Sequence, residues 1–363
     1  MKKVLALLLA LLMAASLVGC TQEPPPAVDT PTPPAPGTTT ETPDEPAPIV
    51  MVGTDETVDY QAFGYDAVPN KKYTIAVVVK SAAIPVWESH IIAAKKAGEA
   101  LGVEILDFSP SKADNVEEQK RILEDLITIG VDAVVLAPAN TEAVKGPVQD
   151  LIDAGIPVIY DNTMGPSDVD YLTYVGVDNY LVGTMIADKM ADLVGGKGKI
   201  LIMEGVPGQA TSDIRTQACI DRFTEAYPDI EFETGVTKWL TDEGRKLAED
   251  YITKWGDDLV GIIAVGGNQA EGAVEAVKAA GMEGRVFISG FDLQEPQYAA
   301  VENGSEAFTV SQGVYEQAYL SVVAAVRALN GESVPRNINC PITIVTKDNL
   351  ASMDERPEAL LSR

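Results

Sequence analysis

Polar and aromatic side chains recur in this sequence close to the points where its apolar runs end. In chain order they are Lys80, Trp87, Asp161, Asn162, Arg215, Trp239, Asn268, Asp292 and Gln312. Carboxylate and amide oxygens accept hydrogen bonds, while amide, ammonium and guanidinium groups donate them. An indole adds a flat apolar surface that suits the C–H face of a sugar ring. Together these residue types favour the binding of a small hydroxylated molecule.

Several of these residues also have an ordinary structural interpretation. Trp87 can be core packing, Lys80 a solvated lysine and Arg215 one half of a surface salt bridge. Asp161 and Asn162 can form an Asx turn. If these side chains lie together in the folded protein, the ligand-binding interpretation is favoured over the structural one. Whether they lie together depends on the strands and helices that carry them.

Residues that most catalytic and metal centres need are scarce. His90 is the only histidine, and the cysteines are Cys20, Cys219 and Cys340. A Ser-His-Asp triad or a histidine-rich metal site is therefore nearly excluded, and a glycosidase-like carboxylate pair is the remaining catalytic alternative. We expect no catalytic residue, no metal and no cofactor. Cys219 and Cys340 can form a disulfide or stay as buried thiols.

Apolar runs of strand length alternate with amphipathic segments of helix length from Tyr73 to Val345. The runs are apolar throughout, which is typical of parallel strands covered on both faces. Two series, over 73–177 and 180–345, predict an α/β fold of two Rossmann-like, doubly wound lobes with roughly five or six strands each. Ligands bind beyond the carboxyl ends of such strands, so the side chains named first should share one cleft.

The chain begins with the features of an export signal. Lys2 and Lys3 precede the apolar stretch 4–18, and Leu17–Cys20 resembles the bacterial lipoprotein box. That resemblance implies a signal peptide over 1–19 and lipidation of Cys20, whereas the alternative is an ordinary secretory signal with an incidental cysteine. Residues 20–70 are predicted to be a linker, rich in Pro and Thr up to Pro48 and too polar there to form a core.

The net charge of the chain indicates which kinds of partner it can bind. The chain carries 54 acidic and 27 basic residues, a formal net charge of −27. No basic surface can be assembled to neutralise phosphates, so nucleic acid is not an expected partner. The acidic balance also argues against direct adsorption to anionic lipid and favours a soluble, tethered body.

The ordered motifs "IAVVVKSAAIPVW", "AGIPVIYDN", "RTQACIDRF", "FISGFD" and "FTVSQ" resemble the type I periplasmic binding proteins, in particular the ribose and galactose branch. The resemblance covers about Lys72 to Val345. It implies two lobes joined by a three-segment hinge, with crossovers near Gly176–Asn179, Gln312–Gly313 and Pro335–Asn339. The N-terminal lobe would then comprise 71–177 and 313–337, and the C-terminal lobe 178–312 and 338–363.

The same resemblance implies roles for individual residues. Trp87 matches an aromatic that stacks on the sugar, and Asp161 matches a hydrogen-bond acceptor. Arg215 matches the arginine of the family's R-x-x-G-F pattern. Asp292 matches the aspartate of its G-F-D motif, and Gln312 matches the glutamine at its second crossover. Departures from the family pattern occur at Asn162, at Ile84, at Ala218–Cys219 and in "GGNQ". They suggest a ligand different from ribose.

The expected function is that of an extracytoplasmic solute-binding protein of an ABC importer. It would be a lipid-anchored monomer on the bacterial cell membrane that delivers a monosaccharide to a permease. Alternatives are a ligand-presenting sensor for chemotaxis or signalling, and a binder of nucleosides or cyclic polyols. A regulator resembling the lac repressor would need a DNA-binding headpiece, whereas this chain has an export signal.

Overall fold

The structure is a computed structural model that describes residues 53–82 and 84–353. Strands and helices alternate along most of this range. The strands, in chain order, are Gly53–Asp59 (β1), Thr74–Val78 (β2), Glu104–Phe108 (β3), Ala133–Leu136 (β4), Val158–Asp161 (β5), Thr173–Gly176 (β6), Gly198–Glu204 (β7), Ile230–Val236 (β8), Leu259–Ala264 (β9), Phe287–Ser289 (β10), Thr309–Ser311 (β11), Val334–Asn339 (β12) and Thr343–Val345 (β13).

Two of the long helices begin at a capping side chain. Asn115 accepts a hydrogen bond from the Glu118 amide, and Asp178 accepts from the amides of Tyr180 and Leu181. The helices are Tyr60–Phe63 (α1), Pro85–Leu101 (α2), Val116–Ile129 (α3), Lys145–Asp153 (α4), Asn179–Val194 (α5), Ala210–Ala226 (α6), Thr241–Trp255 (α7), Gly267–Ala279 (α8), Glu295–Asn303 (α9) and Val314–Leu329 (α10).

The first lobe is built on a seven-stranded sheet with the order β1-β12-β6-β5-β4-β2-β3. Every pairing in it is parallel, and Val77 of β2 lies between Asp107 and Val135 of its neighbours. Residues 75–78 are almost wholly buried, because helices cover both faces. The parallel α/β architecture predicted from the apolar runs is confirmed.

The second lobe has a smaller parallel sheet with the order β10-β9-β7-β8. Beside it, β11 and β13 form an antiparallel pair, joined to β10 through a bridge between Ser289 and Phe308. The prediction of parallel strands thus applies to four strands of this lobe. The last pair is antiparallel because β13 enters this lobe from the opposite direction, after the chain has returned from the first lobe.

Three segments connect the two sheets. The chain leaves the first sheet between β6 and α5, returns between β11 and α10, and leaves again between β12 and β13. The first two crossovers agree with the residues predicted for them. The third prediction, Pro335–Asn339, is wrong, because those residues form most of β12. The "VPRNIN" segment lacks an apolar run, and it is a strand because β1 and β6 pair with it on either side.

Part of the predicted linker belongs to the folded body. Residues 53–59 form β1 on the edge of the first sheet, and the following segment lies against α10. Arg327 donates to the carbonyls of Phe63 and Asp66 at 2.9 and 2.8 Å, and Asn330 donates to that of Val68 at 2.9 Å. The predicted signal peptide, Cys20 and the Pro/Thr-rich stretch lie outside the described residues.

Two further findings concern the described residues. Cys219 and Cys340 are both buried free thiols, which decides between the two alternatives left open for them. Within 53–82 and 84–353, none of the helices has the length and hydropathy required to span a bilayer.

Candidate functional site

A cavity that is open to solvent on one side lies between the two lobes, and the empty space in and above it is about 530 Å³. The first lobe contributes Lys80, Ile84, Val86, Trp87, Asp114 and Asn162. The second lobe contributes Thr211, Arg215, Trp239, Gly266, Gly267, Asn268 and Asp292, while Gln312 enters from the second crossover.

The structure brings together all of the predicted ligand-binding residues except Asp161. Their convergence follows from topology, because parallel strands end at one edge of each sheet and the two edges face each other. Asn162 directly follows β5, and Asp292 follows β10 by three residues. Contact between these residues and a ligand remains a prediction.

Asp161 does not line the cavity, which corrects its predicted position. It is the last residue of β5, and its side chain points toward the helices, where Oδ1 lies 3.5 Å from Ser321 Oγ and Oδ2 lies 3.8 Å from His90 Nε2. Asn162 lies just beyond the end of β5 with a positive φ of 61°, so the backbone turns between the two residues, and only the Asn162 side chain reaches the cavity. The sequence motif identifies the pair but not which member reaches the cavity.

Backbone strain is concentrated at the cavity. Within the described residues, the non-glycine residues with positive φ are Asp114, Asn162, Lys238, Trp239 and Asp292. All of them line the cavity except Lys238, which precedes Trp239. Asp and Asn tolerate this conformation, whereas for tryptophan it is costly. Strained backbone of this kind is characteristic of binding and catalytic sites.

Arg215 makes three hydrogen bonds beside the cavity. Its guanidinium donates to Asn179 Oδ1 at 2.7 Å, to the Val265 carbonyl at 3.2 Å and to Gln312 Oε1 at 3.1 Å. The same group lies 3.8 Å from the centre of the Phe291 ring. These contacts fix the position of its positive charge beside the cavity.

Gln312 connects the lobes through its amide. Its Oε1 accepts from Asn162 Nδ2 at 3.0 Å in addition to Arg215, and its Nε2 donates to Asp292 Oδ1 at 2.5 Å. Asn162 also donates to Gln317 Oε1 at 3.0 Å. One crossover residue therefore orients polar side chains that belong to both lobes.

The charges that face the cavity are balanced. Lys80 and Arg215 supply two cations, and Asp114 and Asp292 supply two carboxylates. Burial lowers the pKa of Lys80 to about 8 and that of Arg215 to about 10, and it raises the pKa of both aspartates. With two cations and two carboxylates around one cavity, the site suits a neutral ligand that both donates and accepts hydrogen bonds.

Two tryptophans supply the apolar surface. Trp87, in the first turn of α2, has its ring centre 4.9 Å from that of His90. The Trp239 ring packs on Gly205 and Gly266, where a Cβ atom would lie 2.0 and 2.5 Å from its carbons. Because any larger residue at these glycines would displace the indole, they determine where Trp239 can lie.

Sequence reasoning missed Asp114, Thr211 and Gln209. Asp114 lies in the loop after β3, and the other two lie between β7 and the first turn of α6, so all follow strand ends. Their location was therefore available from the pattern. The conformation of a loop decides which of its side chains turn toward the cavity. Loops lack the sequence periodicity from which side-chain directions are predicted in helices and strands. In the described range, no cluster of His, Cys, Asp and Glu could hold a metal ion.

Comparison with known proteins agrees with this architecture. A family profile described as a periplasmic binding protein domain matches residues 75–333. A protein of Rhizobium meliloti, proposed to bind rhizopine, is 30% identical over 245 residues, covering 66% of this chain and 79% of the relative.

Solved structures with bound ligands share the fold. An ABC transporter periplasmic solute-binding protein from Actinobacillus succinogenes with bound D-allose is 26% identical, with a TM-score of 0.74 over 78% of this chain and 100% of that one. A solute-binding protein from Bacillus halodurans with bound myo-inositol is 25% identical, with a TM-score of 0.72 over 77% and 96%. The chain therefore belongs to the type I periplasmic binding protein family.

Proposed function

We propose that this protein binds a monosaccharide or a cyclic polyol and delivers it to the permease of an ABC importer. The observation that carries the proposal is the composition of the interlobe cavity, in which two tryptophans accompany two cations and two carboxylates. Neutral rings with several hydroxyl groups match both components, since their C–H faces pack on indoles and their hydroxyls bond to charged groups.

The relatives support this ligand class. D-allose is a monosaccharide and myo-inositol a cyclic polyol, and each is bound by a solute-binding protein of the same fold. The departures from the family pattern, notably Asn162 and Gly266–Gly267 on the cavity wall, support a ligand other than ribose.

The mechanism we propose is binding coupled to closure, without chemistry. Ligand that contacts Asn162 in one lobe and Asp292 in the other stabilises the closed arrangement in proportion to its greater affinity for that arrangement. The three crossovers supply the hinge. The permease then recognises the closed form.

The location we propose is the outer face of the bacterial cell membrane. Support comes from the basic and apolar N-terminus, from the lipoprotein box ending at Cys20 and from the Pro/Thr-rich stretch that follows it. The protein would act there as a tethered monomer. Mass spectrometry of the chain isolated from bacterial membranes tests lipidation, which predicts that the mature protein starts at an acylated Cys20.

A thermal-shift screen followed by calorimetry tests the ligand class. The probes are D-ribose, D-allose, myo-inositol and adenosine, with Asp292→Asn as the matched variant that preserves side-chain shape. We expect at least one sugar or polyol to raise the melting temperature through preferential binding to the folded state, and the variant to weaken that effect. Stabilisation by adenosine alone would overturn the monosaccharide assignment, and no response to any probe would overturn the class.

A further inference from the structure

A second set of interlobe contacts lies beside the cavity. Residues 206–210, which form the loop before α6 and the first residue of that helix, pack on residues 139–141, which follow β4. The Thr141 amide donates to the Gly208 carbonyl at 2.9 Å, and the Ala210 amide donates to Thr141 Oγ1 at 3.0 Å. We call these two segments, the first of which contains Gln209, the clasp.

Gln209 is the centre of the clasp and is fully buried. Its Oε1 accepts from Lys80 Nζ at 3.1 Å and from Trp239 Nε1 at 2.8 Å. Its Nε2 donates to Asp114 Oδ1 at 2.7 Å and to the Ala139 carbonyl at 2.9 Å. A primary amide offers two donors and two acceptor positions, and here all of them are used.

The bonding pattern divides by lobe. Gln209 and Trp239 belong to the second lobe, whereas Lys80, Asp114 and Ala139 belong to the first. Separation of the lobes therefore breaks three of the four bonds and leaves buried donors and acceptors to be solvated again. The three interlobe bonds join protein groups to each other, so they contribute to closure independently of what occupies the cavity.

Gln209 also orients residues that line the cavity. Lys80, Asp114 and Trp239 all face the ligand space, but Gln209 itself does not line it. We propose that Gln209 is a closure latch and a positioning residue. It stabilises the closed arrangement and holds the Lys80 ammonium and the Trp239 indole in the orientation that receives ligand. The second part of this proposal rests on the proposed function, and the first does not.

The latch is tested without ligand by measuring the distance between the lobes. Glu124→Cys on α3 and Asp250→Cys on α7 introduce exposed labelling sites, one in each lobe. Cys20→Ser removes the N-terminal thiol, and the two native thiols of the body are buried. Pulsed electron spin resonance on the labelled full chain then reports the open and closed populations.

Gln209→Met is the test variant, because it preserves side-chain length and removes all four bonds. Gln217→Met is the matched control, since Gln217 lies on the exposed side of α6, the helix that Gln209 precedes, and its side chain donates only to Asp221. We expect Gln209→Met to lower the closed fraction about tenfold or more and the control to leave it unchanged. Equal distance distributions for Gln209→Met and wild type would overturn the latch.

A second variant pair applies if Gln209→Met fails to fold. Gln209→Glu places two carboxylates face to face at Asp114, so we expect it to open the lobes. Adding Asp114→Asn restores a donor opposite the new acceptor and should recover part of the closed fraction. Absence of both the opening and the recovery would overturn the proposal.

Ligand affinity tests the positioning role. For a ligand that binds only the closed form, the apparent Kd rises by the factor by which the closed fraction falls. We expect Gln209→Met to raise the Kd for D-allose or myo-inositol by more than that factor, since Lys80 and Trp239 also lose their orientation. An equal factor would leave Gln209 as a latch only. If neither probe binds to wild type, the proposed function fails, while the distance measurement still decides the latch.

Discussion

Asp161 and His90 form a buried pair behind the cavity wall. His90 Nδ1 lies 2.9 Å from the Val86 carbonyl and must donate to it, which makes Nε2 an acceptor in the neutral imidazole. Nε2 faces Asp161 Oδ2 at 3.8 Å, and neither atom has a hydrogen-bond partner. Burial raises the pKa of Asp161, so a protonated carboxyl fits beside this acceptor. The pair supports α2, which carries Trp87.

Asp161→Asn separates this supporting role from direct ligand binding. A raised pKa in the folded state means that wild-type stability falls as pH rises through that pKa, because only the unfolded state has already released the proton. The asparagine variant lacks this loss. We expect it to equal or exceed wild type in stability at pH 7, to lose that advantage near pH 4, and to keep its ligand Kd within about threefold. Urea unfolding measures the stability and calorimetry measures the ligand Kd. Loss of binding in the variant would indicate that Asp161 contacts the ligand directly.

Lys80→Met tests the electrostatic consequence of burial. The folded pKa of Lys80 is about 8 against 10.5 for the free side chain, so between these pH values the unfolded state holds a proton that the folded state has released. Stability from this group therefore rises with pH. We expect the wild type to gain about 3 kcal/mol relative to Lys80→Met between pH 7.5 and pH 10.5. Comparing unfolding curves of the two proteins cancels the titrations that Lys80 does not influence, and a constant stability difference across this pH range would contradict the lowered pKa of Lys80.

At the scale of elements, continuous apolar runs were sufficient to predict most strands. The run around Val77 predicts β2 because a strand buried on both faces must be apolar throughout. The strand β12 could not be predicted in this way, since Pro335, Arg336 and Asn337 are polar or strand-breaking and its conformation comes from neighbours distant in sequence. Gln209 was missed for a related reason, because its bonds depend on how the 206–210 loop meets the other lobe.

Helix packing gives a prediction at Gly183 of α5. A Cβ atom there would lie 2.4 Å from the Arg215 carbonyl and 2.6 Å from Ala218 Cβ on α6. Gly183→Ala must therefore push α6 away and shift Arg215. We expect it to destabilise the protein by about 1–3 kcal/mol and to weaken ligand binding. The matched control is Gly146→Ala on α4, where no heavy atom lies within 4 Å and helix propensity should improve stability by up to about 1 kcal/mol. Equal effects of the two changes on unfolding and binding would show that α5 and α6 can separate freely.

Three short crossover segments are the covalent connections between the two lobes. Two of them touch, because a Cβ atom at Gly313 would lie 2.8 Å from Cδ and Cγ of Pro341. Gly313 separates Gln312, which bonds to residues of both lobes, from α10, which packs in the first lobe. Rotation of one lobe relative to the other must therefore move Gly313 against Pro341. The adjacent residue, Gln312, carries the hydrogen bonds that join the polar side chains of the cavity.

Gly313→Ala should consequently impair closure as well as stability. The φ of 66° disfavours any side chain by about 1–2 kcal/mol, and the methyl group also meets Pro341. Gly331→Ala is the control, because its φ is 81° but no heavy atom lies within 4 Å, so it carries the backbone strain alone. We expect both variants to lose stability, and only Gly313→Ala to slow the ligand-induced change in tryptophan fluorescence and to raise the Kd several-fold. Identical kinetics in the two variants would mean that closure does not strain the contact between the crossovers, and the hinge would then have to lie elsewhere.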